Sequence, residues 1–273
     1  ICEGLVGSEM CIRDSCKTLK LTGEYLDNPP SVVPKVALST DLNRNNWQHL
    51  DPINDSVPGM SVDKAYTELI KDSEGQTVVV AVLDTGIDIK HEDLKGNIWT
   101  NKKEIPGNNI DDDKNGFVDD VYGWNFLGEA YYEQLELTRL LGKGEDFPEK
   151  EDAQKDYDKR LAEARGEETL KYYLNYDFKG RTTGDDPDNF EQTYYGDNKV
   201  EHSREDESHG THVAGIIAAA RNNNLGMKGV ANNVEIMTLR VVPYGDEYDK
   251  DVALGIIYAA DNLSLIHISE PTR

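Results

Sequence analysis

Two clusters in this 273-residue chain have residue types and spacing suited to acid–base chemistry. Asp84-Thr85-Gly86-Ile87-Asp88 closes an apolar run, and His209-Gly210-Thr211-His212-Val213-Ala214-Gly215 stands far downstream. A carboxylate beside an imidazole fixes which ring nitrogen carries the proton and stabilises the imidazolium, so that the second nitrogen can take a proton from a hydroxyl nucleophile. His209 at the start of a helix suits that task, because the positive end of the helix dipole disfavours early protonation. His212, one turn further into the helix, is expected to make a hydrogen bond inside the core.

Two rival chemistries use the same residues and fit them less well. Asp-Thr-Gly is also the mark of enzymes that pair two carboxylates, but the sequence has no second Asp-Thr-Gly, so this reading survives only as a homodimer and leaves the His209 cluster unexplained. His209-x-x-His212 lacks both the His-Glu-x-x-His spacing and the Cys ligands of zinc sites.

A third cluster is acidic, running from Asp111 through Asp112, Asp113, Lys114, Asn115, Gly116, Phe117 and Val118 to Asp119 and Asp120. Asp111, Asp113 and Asn115 follow a D-x-D-x-N-G pattern, in which alternate side chains converge on one cation and Gly116 allows the sharp turn. Asp119 could add an oxygen directly or through water. Tyr122 stands where a complete EF-hand loop would place its bidentate Glu, so the pattern is partial. Calcium is favoured over an ion-free acidic turn, because this many carboxylates in ten residues repel one another without a cation.

The elements that must position these residues can be read from periodicity. Gln76 to Leu83 is a continuous β-branched run, as expected of a parallel strand buried on both faces, which puts Asp84 at its carboxyl end, where functional groups collect in α/β sheets. Before it, Ser61 resembles an N-cap, with Ala65, Leu69 and Ile70 on one helix face. Small residues make Gly210 to Arg221 a helix that can approach a sheet closely. Val234 to Val242 reads as a second strand, and Asp249 or Asp251 caps a last helix whose buried stripe is expected to be Val252, Ala253, Ile256, Ile257 and Ala260. This alternation implies an α/β architecture with a mainly parallel sheet and right-handed crossovers. Between the two halves, residues 129–207 break the pattern. Ala130 to Arg165 has helical spacing at Leu135, Leu137, Leu140 and Leu141, while Thr182 to Glu207 is acidic and loop-like. The whole is expected to be a solvated surface insertion, best described as a helical hairpin.

At these residues the chain resembles the subtilisin-like serine protease family (subtilases), over about Gln76 to Asn125 and Ser208 to Asn262. The Asp84 motif is followed by His91-Glu92-Asp93-Leu94, and the His209 motif by Gly229-Val230-Ala231. The resemblance implies a three-layer αβα fold, here incomplete, and proteolysis through an acyl-enzyme, with Asp84 as the orienting carboxylate and His209 as the base. It further implies protein or peptide substrates, structural calcium, and a secreted or cell-envelope location. It adds a second calcium site, with Asp93 and backbone oxygens from Asn222 to Met227 as its ligands. Two departures stand out: the insertion at 129–207, and the absence of a Gly-Thr-Ser motif for the nucleophile anywhere in the 273 residues. The polypeptide itself is therefore expected to be inactive, and a calcium-binding pseudoenzyme is the alternative for the longer gene product.

The ends of the chain carry their own expectation. Leu263 to Arg273, read back into DNA, matches a transposase-type sequencing adapter, and the reverse complement of that string, one base in, encodes Leu5 to Asp14. Residues 1–15 and 263–273 are accordingly read as adapter-derived, 16–75 as a lead-in with a first helix, and 76–262 as the partial catalytic domain. Cys2 and Cys11 then fall in the adapter, and Cys16 is either a free thiol or the lipid-bearing cysteine of an anchor. With 29 basic against 52 acidic residues the net charge is −23, which argues against nucleic acid and anionic membranes as partners. No run approaches the roughly 18 to 20 apolar residues of a membrane span.

Overall fold

The computed structural model describes residues 45–71, 75–144, 146–202, 204 and 207–262, together with the backbone of 266–269. Cys16, most of the lead-in and the first expected adapter segment lie outside the described residues. The chain divides into two compact units, Ile1–Ile70 and Lys71–Arg273.

In the first unit Asp51 organises the turns. Its carboxylate accepts from the N–H groups of Asn54 (2.7 Å) and Ile53 (3.0 Å), from Ser61 Oγ (2.9 Å) and from Lys64 Nζ (3.4 Å). These donors, the Asn54 N–H foremost, hold its pKa below the ordinary value against the opposing effect of burial. Ser61 does precede a helix, α1 (Val62–Ala65), but at φ 58° its hydroxyl serves Asp51 instead of capping. With no cap, α1 is a single turn that runs into a π turn at Tyr66–Ile70. Leu69 and Ile70, expected on one helix face with Ala65, are exposed.

The second unit is built on a parallel sheet of β1 (Val78–Asp84), β2 (Gly123–Asn125), β3 (Val234–Arg240) and β4 (Ile266–Ser269), in the order β2-β3-β1-β4. Successive side chains of a strand point to opposite faces, and the core follows that rule. Ala81 and Leu83 of β1 with Met237 and Leu239 of β3 pack against Leu254, Tyr258 and Ala259 of one helix, α5 (Asp249–Asp261). Val80 and Val82 with Val234 and Ile236 pack against Ala214 and Ala218 of another, α4 (His209–Ala218). The sheet thus carries a helix on each face, the three-layer αβα arrangement expected of the sequence. β4 lies within the stretch read as adapter-derived. Its backbone pairs with β1 from Val80↔Ile266 to Leu83↔Ser269.

In the insertion, α2 (Glu136–Gly142) and α3 (Lys150–Glu163) pack together as a helical pair. No helix or extended strand occurs among the described residues of 182–207. Its buried residues are not the leucines that the spacing suggested. Leu135, Leu137, Leu140 and Leu141 are only half-buried, whereas Glu133, Gln134, Thr138 and Arg139 are buried.

The same inversion occurs on α5. Ile256, Ile257 and Ala260 are exposed and Val252 and Ala253 half-buried, while Lys250 and Asp251 are almost fully enclosed. The insertion accounts for the two enclosed charges. Arg181 sends Nη2 to Asp251 (2.8 Å) and to Asp185 (2.8 Å), Lys250 Nζ reaches Asp185 at 2.6 Å, and Tyr195 donates to Asp251 at 2.6 Å. Burial pushes the Asp185 carboxyl up, but Arg181 and Lys250 outweigh it and hold it at about 2. The insertion is therefore joined to the domain by enclosed charges, a tighter attachment than the expected solvated decoration. α5 also begins differently, with Tyr248 at its N-cap and no side-chain cap from Asp249 or Asp251.

Candidate active site

Asp84 ends β1 and His209 opens α4, so one strand terminus and one helix terminus bring the two side chains together. His209 Nδ1 lies 2.9 Å from Asp84 Oδ2 and 3.1 Å from Oδ1. The Thr85 N–H also donates to Asp84 Oδ1 at 2.7 Å, which fixes the carboxylate plane. The acid is enclosed and the base open: their side chains are 3% and 51% exposed. A buried carboxylate with few water contacts orients an imidazole firmly, and an open imidazole can meet a reactant.

Small residues permit this approach. A Cβ on Gly210 would stand 2.3 Å from Gly86 O and 3.1 Å from the Asp84 side chain, so any larger residue beside His209 would push the helix off the strand end. Gly86, at φ +116°, turns the chain away directly after the acid. Thr211 Oγ1 then accepts from the Asp88 N–H at 2.9 Å, joining the two motifs a second time. His212 is exposed on α4, so the core hydrogen bond expected of it is not its role: the helix turns that position outward, over a cleft of about 370 Å³ bounded by His91, Asp93, Ile216 and Met227.

The acidic cluster closes differently from its sequence pattern. Oxygens of Asp111 and Asp113 converge, as expected, but their third partner is Glu104, all within 4.8 Å of one another. Ligand oxygens on opposite sides of one calcium, each about 2.3 to 2.6 Å away, are separated by about this much. Glu104 is buried, and its Oε2 has no hydrogen-bond partner among the described residues. Burial raises its pKa above the ordinary carboxyl value, and repulsion by Asp120 and Asp113 adds to this. The donor set thus fits a hard cation.

Asp119 and Asn115 do other work. Asp119 accepts from the N–H groups of Gly107 (2.8 Å), Asn108 (3.3 Å) and Asn109 (2.7 Å). Asn115 accepts from the Phe117 N–H and donates to Asp120 Oδ2, both at 2.8 Å. Asp120, fully buried, also receives Tyr258 OH at 2.5 Å and so moors the acidic loop to α5. Asp93 is buried and meets the expected loop: Asn223 Nδ2 donates to its Oδ1 at 2.6 Å.

Asp120, named in the acidic run, was given no role by sequence reasoning, and Glu104 was missed because it precedes the D-x-D-x-N-G pattern by seven residues. Nothing local distinguishes it from any surface Glu.

Comparison with known proteins supplies a family. The family model described as the subtilase family (Peptidase_S8) matches residues 75–269. Among curated relatives, Subtilisin-like protease 1 of Plasmodium falciparum is 27% identical over 176 residues, covering 64% of this chain and 15% of its own. The Extracellular basic protease of Dichelobacter nodosus is 27% identical over 238 residues, 87% of this chain and 28% of its own. The Thermophilic serine proteinase of Bacillus sp. (strain AK1) is 48% identical over 56 residues, 20% of this chain and 14% of its own. The chain spans less than a third of the length of each of these relatives.

Proposed function

The chain belongs to the subtilase family, and from that premise we propose that it supplies the acid and the base of a serine endopeptidase acting on protein or peptide substrates. The supporting observation is the enclosed Asp84 carboxylate held at 2.9 Å from Nδ1 of an open His209. With Nδ1 turned to Asp84, Nε2 is the nitrogen that would take the proton of a serine hydroxyl as it attacks the scissile carbonyl. The same nitrogen would later return that proton to the leaving amine, while Asp84 stabilises the imidazolium between the two steps. The serine and the oxyanion donors come, on this reading, from residues of a longer polypeptide, because no Gly-Thr-Ser occurs in the 273 residues. An extracytoplasmic location and adapter-derived ends belong to the same proposal.

Glu104, Asp111 and Asp113 would hold a structural calcium, which would neutralise the clustered carboxylates and stiffen the loop that Asp120 ties to α5. Asp119 would shape the approach to this site through the three N–H groups it binds, Asn115 would brace Asp120, and Asp93 would serve a second ion beside Asn223.

The test is labelling by a fluorophosphonate, which reacts only with an activated serine. The 273-residue polypeptide should not be labelled, and the longer gene product should be, with loss of labelling in Asp84→Ala. An unlabelled long product would favour the calcium-binding pseudoenzyme.

A further inference from the structure

Arg240 is the largest fully buried side chain among the described residues, and the proposed chemistry gives it no task. It stands at the end of β3, opposite Asp84 in the β1/β3 register. Nε donates to Thr85 O at 2.9 Å, Nη1 to Gly128 O at 3.0 Å and Nη2 to Ala130 O at 3.0 Å, with Asn125 Oδ1 3.4 Å from Nη1. Its counter-charge is Glu207, whose Oε1 is 3.5 Å from Nη2, and both side chains are sealed from solvent.

A buried guanidinium is tolerated only when its donors are met and an anion is near, and its planar fork holds the acceptors in one fixed arrangement. The acceptors here lie at telling places in the chain. Thr85 directly follows the acid, Glu207 precedes the base by two residues, and Gly128 and Ala130 flank the start of the insertion. The relative placement of the first two decides how far Asp84 lies from His209.

Deepening the reading of Asp84 and His209 as orienting carboxylate and base, and resting on the contact between them, we propose that Arg240 is a positioning residue for that pair. Its fork fixes the main chain after the acid and, through Glu207, the chain entering the base's helix, so that the carboxylate and imidazole keep one register. The entry to the insertion is fastened by the same group, and a change there would reach the pair through Arg240.

The test follows the His209 Nδ1 proton by NMR in the 273-residue polypeptide, with His209→Ala assigning the resonance. Arg240→Lys keeps the charge but offers three donors in no fixed plane. In that variant the amide spectrum should remain that of a folded chain, while exchange of the Nδ1 proton with water accelerates by about tenfold or more. A purely structural defect would instead spread across the amides of the sheet. An unchanged Nδ1 proton in folded Arg240→Lys overturns the proposal, as does a proton already too fast to observe in the unaltered chain.

Should Arg240→Lys fail to fold, Glu207→Gln decides, since it preserves every carbonyl bond of Arg240. Faster exchange supports the proposal and unchanged exchange overturns it. These rates do not depend on proteolysis, so an inactive longer product would sink the protease reading and leave this one standing.

Discussion

The strand end that carries Asp84 and the junction where the insertion meets α5 solve opposite problems. At the first, one enclosed carboxylate faces an imidazole that is half open to solvent, and glycines clear the approach. At the second, Lys250 and Asp251 are enclosed, Arg181 and Asp185 nearly so, and the four neutralise one another. A pair meant to exchange protons needs one member exposed. Charges meant to fasten one part of a chain to another are most effective fully enclosed, where losing a partner is costly. Asp84 and His209 lie 125 positions apart, but each sits in a short contiguous motif, whereas Arg181, Asp185, Lys250 and Asp251, up to 70 positions apart, belong to none, and this difference governs what a reader of the sequence can see.

The junction should be the more fragile of the two to charge removal. Arg181→Met strands Asp251 and Asp185 and is expected to lower stability by about 3–5 kcal/mol in urea unfolding. A loss under about 1 kcal/mol, the range of exposed pairs, would mean that the insertion is not fastened in this way.

Cation removal should come next. If the Glu104, Asp111 and Asp113 oxygens hold calcium, chelation should lower stability by about 2.7 kcal/mol relative to a concentration one hundred times Kd, seen as a fall in Tm. An identical Tm with and without calcium would contradict an ion there.

At the strand end the sensitive feature is steric. Gly210→Ala is expected to cost about 1–3 kcal/mol through overpacking against Gly86 and to lengthen the Asp84 to His209 contact. A neutral effect would show that the close approach is not required.

The smallest effect concerns Glu133, whose carboxyl is raised above its ordinary value by burial, with Arg139 opposing. A raised carboxyl favours the folded state while protonated. Its stability contribution is full below the unfolded value of about 4.3 and is lost as pH rises through the folded value. Glu133→Gln should therefore flatten the decline of Tm with rising pH. An unaltered decline would assign it to other groups.

The contrast between the regions explains what the sequence disclosed. Asp84 and His209 were legible because each sits in a short motif on a recognisable element, and the αβα layering followed from two β-branched runs and the helices between them. The outward turn of Ile256 and Ile257 was not legible. Periodicity locates an apolar stripe, but not the partner that comes to a face, and here the insertion brings Arg181 and Asp185 to the polar one. Glu104 and Arg240 escaped for a related reason: neither belongs to a local pattern, Glu104 lying seven residues before the acidic one and Arg240 drawing its acceptors from turns more than 100 positions away. In the acidic loop the pattern picked out Asp111 and Asp113, whose oxygens converge with those of Glu104, while three backbone N–H groups converge on Asp119.

The pairing of Asp84 with His209 as acid and base is tested most directly by kcat/KM for peptide hydrolysis by the longer gene product, unaltered and as His209→Ala. The expected result is measurable turnover that falls by on the order of 10⁴- to 10⁶-fold in the variant, with little change in fold, as for removal of a triad member. Turnover that survives His209→Ala within about tenfold would contradict it, because a group that carries the proton in the transition state contributes at least about 10²-fold.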